Sequence, residues 1–174
     1  MISSDVSPPS LSPKSTWWRW WRELQDEDRS GRAELRRCGT TADIAFTRPF
    51  HRLLQWLGSR LAEKDARRVA LVAAVLSHVE SDAAGESLAG RMGQPKAGST
   101  EAVISDVRFR HLLTADDDDA TLRELVRVVR QLGRVAPVDL LSRDLMEWND
   151  RVRLRWARDY YEKSSSPKNP SSTP

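Results

Sequence analysis

Leu141, Leu145, Trp148, Val152 and Trp156 recur at intervals of four, three, four and four residues. Only the 3.6-residue turn of an α-helix sets such a series on one face, and a stripe this sustained needs another apolar surface to cover it. The spacing returns in Phe50, Leu53, Leu54 and Leu57. No segment alternates apolar and polar residues in the manner of a half-buried strand. The chain therefore reads as all-α, and 174 residues are enough to bury a core without a metal or disulfide staple.

Helix boundaries are marked as well. Helices are expected over 17–24 and 30–39, the latter closed by Gly39. Thr47 is the candidate cap of a helix with Pro49 in its first turn, running to Gly58. Residues 61–79 form the longest apolar helix, and a short one is expected at 86–92. Ser105 starts the helix 106–113. Asp116–Asp119 stand at the start of a helix that runs through Leu132 to Gly133, where carboxylates face free backbone N–H groups. Pro137 opens another helix and 149–162 form the last, unless the 141–156 stripe lies on one long helix. Gly85, Gly90, Gly93, Gly98 and Pro95 mark a break between two halves. The expected organisation is two small helical bundles, 16–94 and 95–163, between Ser/Pro-rich tails at 1–15 and 164–174 that are expected to be disordered.

Function is narrowed first by exclusion. Cys38 is the single cysteine, which rules out an internal disulfide and a cysteine-based zinc site. His51, His78 and His111 lie on separate segments outside any ligand motif, and the Asp116–Asp119 run lacks the central glycine of a calcium loop. There is no phosphate-binding P-loop and no GxGxxG. No catalytic residue, metal or cofactor is expected. No apolar run approaches the roughly 18 residues of a membrane span, and the first residues lack a secretory core, so a cytoplasmic address is expected.

Arginine supplies the positive pattern. The 28 basic residues comprise 23 Arg and 5 Lys, against 25 acidic residues, so any basic face must be built by helix geometry. Arg123, Arg127, Arg130 and Arg134 are spaced four, three and four, opposite Leu122, Leu125, Val129 and Leu132. Arg151, Arg155 and Arg158 repeat the pattern, Arg143 lies just upstream, Arg108 and Arg110 flank Phe109, and Arg32, Arg36 and Arg37 share the N-terminal half. Stripes of Arg from several helices can form a track that grips phosphates without reading bases. The alternative is a solvated charged face laced by ion pairs. Binding to nucleic acid, a helical protein–protein adaptor and a free-standing DNA-binding regulator are all open at this point.

Seven Trp stand against three Phe and two Tyr. Within WWRWW, the pairs Trp17 with Trp21 or Trp18 with Trp21 suit a helical core, the remainder facing a partner or stacking on a base. Trp148 and Trp156 are expected in the core or at a protein interface.

Taken in order, WWRWWREL, GRAELRRC (31–38), FHRLLQWL (50–57), VRFRHLLTADD (107–117), LRELVRVVRQLG (122–133), VDLLSRDLMEWND (138–150) and VRLRWARDYY (152–161) resemble one family. It is the small subunit of the type I-E CRISPR surveillance complex Cascade, called Cse2 or CasB. The resemblance implies a non-catalytic, two-bundle helical protein paired head to tail with a second copy. Its implied partners are the backbone and large subunits of Cascade, the guide RNA, and the target and displaced DNA strands. Its basic surface is implied to steady the R-loop in antiviral defence and to support recruitment of a nuclease-helicase. The implied contact residues are Arg32, Arg36, Arg37, Arg108, Arg110, Arg123, Arg127, Arg130, Arg134, Arg143 and Arg151.

Overall fold

A helix whose C-terminal part is apolar on every side organises the molecule. In a computed structural model that describes residues 14–58 and 63–165, every residue from Val69 to Val79 is buried. A helix without a polar face is stable only when surrounded. This helix, α5 (Glu63–Ser77), follows α1 (Thr16–Asp26), α2 (Arg29–Arg37), α3 (Thr41–Ile44) and α4 (Arg48–Leu57). After it come β1 (Ser81–Asp82), α6 (Leu88–Gly93), α7 (Asp106–Leu113), α8 (Asp118–Gln131), β2 (Val135–Ala136), α9 (Val138–Met146) and α10 (Asp150–Ser164). Around α5 pack α1, α2, α3, α8 and α9. The all-α reading holds. Residues 1–13 and 166–174 of the expected tails lie outside the described residues, and α10 runs one residue into the C-terminal one.

Local chemistry sets the helix starts. Side chains of Ser15, Asp28, Thr40, Ser87, Ser105, Asp117 and Asn149 each accept a hydrogen bond from a first-turn N–H. Each such cap is worth about 1 kcal/mol. Thr47 takes the cap position of α4, but its hydroxyl donates back to the Ile44 carbonyl at 2.8 Å instead. The 141–156 stripe is divided between α9 and α10 by the Asn149 cap, so it is not one long helix.

Two strands of two residues each were not legible in the alternation pattern. They pair in parallel, with Ser81 opposite Val135 and Asp82 opposite Ala136. Their effect is to fasten the segment after α5 to the segment after α8. Asp82 adds a second tie, accepting from the Val138 N–H at 3.0 Å and from Trp18 Nε1 at 2.9 Å.

Buried apolar residues on both sides of residue 94 form one contiguous core. In it, α10 packs most closely on α6, where a Cβ at Gly93 would collide with the Tyr160 carbonyl. Tyr160 stacks on Phe109 at a ring separation of 4.0 Å and donates to the Ile104 carbonyl at 2.7 Å. Trp156 is fully buried, meets Trp148 edge to face at 4.9 Å and donates to buried Asp144 at 2.7 Å.

The tryptophan run resolves differently from either expected pair. Trp20 and Trp21 are the buried members, and Trp17 and Trp18 are half-buried. Both buried indoles donate to backbone carbonyls, Trp20 to Pro49 at 3.1 Å and Trp21 to Val79 at 3.0 Å. Trp17, Trp20, Trp21 and Leu24 form an i, i+3, i+4, i+7 series; anchoring the helix on Leu24 would have found Trp20.

Candidate nucleic-acid interface

The last carbonyls of α5 have no partners within the helix and need donors from elsewhere. Val75 and Leu76 take theirs from the His78 and Val79 N–H groups, both at 3.0 Å, and Ser77 takes its donors from arginine. Arg36 Nε donates to the Ser77 carbonyl at 2.8 Å, and Arg32 Nε reaches the same oxygen at 3.1 Å. Positive charge at a helix C-terminus is also favoured by the helix dipole. Because Arg32 and Arg36 are spaced by four on α2, one helix face delivers both.

A third arginine arrives through the strand pair. Arg134 follows Gly133 into the left-handed region, with φ of 61° and 71° respectively. Its carbonyl accepts from the Glu80 N–H at 2.7 Å, which sets the two residues side by side. Arg32, Arg36 and Arg134 then converge on a single carboxylate oxygen, Glu80 Oε1, at 3.6, 3.2 and 3.6 Å. His78 lies beneath. Burial lowers its pKa to about 4, and Arg130, Arg36, Arg134 and Arg32 push in the same direction. The imidazole is neutral at pH 7. Burial, with the neighbouring Arg36, also lowers the pKa of Arg32 from its ordinary value.

The C-terminal end of α8 gathers further cations. Arg108 Nη1 donates to Gln131 at 2.9 Å, and Gln131 in turn donates to the Val103 carbonyl at 2.8 Å. This holds α7's Arg108 against the turn of α8 that carries Arg130. Arg127 is paired with Glu124 at 2.8 Å. Arg123 lies towards the other end of α8, lining a surface hollow with His111 and Asp116.

A second cluster covers α9 and α10. Arg143, Arg151, Arg155 and Arg158 line one concavity with Leu154, which is 71% exposed. Arg155 and Arg158 were visible in the helical spacing but were not among the expected contact residues. Arg155 is pinned to Asp144, and Arg151 pairs with Glu147 at 3.3 Å.

Arg110 stands apart from both clusters, held by Asp106 at 2.8 Å and by Tyr161. Arg37 is exposed at the end of α2. Among the described residues, no ion pair joins Arg37, Arg108, Arg123, Arg130 or Arg143 to a carboxylate. Three of the four residues of the acidic run are consumed structurally, while Asp116 lines the hollow with Arg123. Asp117 caps α8, Asp118 pairs with Arg68 at 3.1 Å, and Asp119 accepts from the Thr41 N–H and hydroxyl at 2.8 and 2.9 Å.

Compared with known families, residues 31–161 match the model for CRISPR-associated protein Cse2. The chain belongs to the Cse2 family. Comparison with curated proteins yields no match. Among solved structures, the fold is similar to a chain in a crystal structure of E. coli Cascade bound to a PAM-containing dsDNA target. The TM-score is 0.69 at 21% identity, covering 87% of this chain and 98% of that one. That likeness is one of fold.

Proposed function

We propose that the chain is a non-catalytic small subunit of an RNA-guided CRISPR surveillance complex and steadies the guide RNA–target DNA R-loop through backbone contacts. One observation carries this reading in a Cse2-family chain: arginines distant in sequence are gathered into two clusters, at the end of α5 and over α9 and α10. Sequence-blind phosphate contact suits a complex whose target varies, because base pairing with the guide supplies the specificity. R-loop formation is a near-balanced exchange, so a few such contacts are enough to tip it.

Among the described residues, no helix is long and apolar enough to cross a membrane. Phe46, at 86% exposed, with Val107 and Leu154, offers apolar contact points for neighbouring backbone and large subunits and for a second copy arranged head to tail. The test is reconstitution. The chain should co-purify with backbone subunits and guide RNA, and omitting it should shorten the lifetime of the bound target. Equal lifetimes with and without the chain would remove the function.

A further inference from the structure

Glu80 is held in an unusual way. Three guanidinium groups from α2 and the α8–β2 turn reach the same oxygen, Oε1, while the residue's side chain is 48% exposed. One carboxylate against Arg32, Arg36 and Arg134 leaves the group with excess positive charge, and Arg130 adds to the field felt at His78. Arg134 Nη1 is buried and lacks a hydrogen-bond partner among the described residues. Arg134 also holds a left-handed backbone that an L side chain rarely adopts. An oxygen with three guanidinium groups within 4 Å, one of them hydrogen-bonded to it, is an environment that suits a phosphate oxygen.

We propose that this cluster is a phosphodiester-binding site in which Glu80 is the resident counter-ion, displaced when a nucleic-acid phosphate arrives. The inference rests on the nucleic-acid reading above and assigns it a place and a gate. Arg32 and Arg36 stay in position during the exchange, because their Nε groups are fixed on the Ser77 carbonyl. Glu80 is free to swing outward, since its carboxylate is the exposed partner. The carboxylate keeps the three cations together in the unbound protein and weakens binding of any strand that does not supply a phosphate at this point.

The test uses the full chain with labelled single-stranded DNA and RNA of one sequence, measured by anisotropy across a salt series beside thermal melts. Glu80→Gln removes the competing charge and should raise affinity about threefold to tenfold at low salt, with the gain fading as salt rises. Arg134→Gly relieves the left-handed backbone, so the melt should hold or rise. Its affinity should fall by a similar factor, and the log–log salt slope by about 0.7 for the lost phosphate contact. A larger response with DNA assigns the site to a DNA strand; a larger response with RNA assigns it to the guide. Wild-type binding retained at equal strength in both variants would overturn the site and leave nucleic-acid contact elsewhere intact. A loss of melting temperature in Glu80→Gln with unchanged affinity would make Glu80 a structural tie and overturn the gate. No binding by any of the three proteins would overturn both the site and the broader reading.

Discussion

The arginines at the end of α5 and those over α9 and α10 are held by different means. In the first cluster, Arg32 and Arg36 donate to the carbonyl of buried Ser77, and the guanidiniums share Glu80. They are part of the fold's own hydrogen bonding, and are half-buried. In the second, Arg143, Arg151 and Arg158 are exposed, with Arg151 and Arg158 held only by surface ion pairs, while Arg155 is tied to buried Asp144, which also accepts from Trp156. The first cluster is preorganised and its loss is felt by the fold. The second can lose the charge of Arg143, Arg151 and Arg158 with little structural cost, whereas Arg155 is tied to buried Asp144. Similar residue types on similar helix spacings thus differ in what they do for stability.

The sharpest way to break the comparison is to remove the anchor beneath the second cluster. Trp156→Ala should cost about 3–5 kcal/mol in denaturant unfolding, because it opens a large cavity and leaves Asp144 without its indole donor. A loss of less than about 1 kcal/mol would show that Trp156 is not the post on which that surface rests.

Acid should act on the first cluster. His78 titrates near 4 in the folded protein and near 6.5 when unfolded, so between those values the unfolded state binds more protons. Stability from the neutral imidazole is complete above pH 6.5 and is lost as pH falls to about 4, by at most about 3 kcal/mol. Unfolding free energies of wild type and His78→Leu, measured over that range, should differ in slope. Parallel curves would contradict the buried neutral imidazole.

Paired alanine substitutions sharpen the contrast at smaller amplitude. Arg36→Ala withdraws one of the two arginine donors to the buried Ser77 carbonyl, leaving Arg32, and should cost about 0.5–1.5 kcal/mol. Arg143→Ala should stay within about 0.5 kcal/mol in the same melt, since its side chain is exposed and no carboxylate pairs with it. Equal losses would erase the distinction between the two clusters.

Much of this fold was legible residue by residue. Ser105 and the Asp116–Asp119 run marked helix starts because capping is local, and the Trp148–Trp156 stripe marked burial because helical period is local. Glu80 carried no signal. Nothing near it in sequence announces that α2 and the turn after α8 will meet there. That meeting depends on two two-residue strands too short to alternate and on a left-handed Arg134 that sequence pattern does not mark. Spacing finds the face of a helix that bears arginine, and tertiary packing decides which faces meet. Convergence is therefore a product of packing, and it occurs in two clusters, with Arg110 held separately by Asp106.

The most direct measurement is the lifetime of the R-loop in the reconstituted complex carrying Arg130→Ala, Arg134→Gly, Arg143→Ala and Arg151→Ala together. Circular dichroism and co-purification would confirm that the variant folds and assembles. The lifetime should shorten towards that of the complex lacking the subunit, and most strongly at low salt. A wild-type lifetime in the folded, assembled variant would contradict phosphate contact by these clusters.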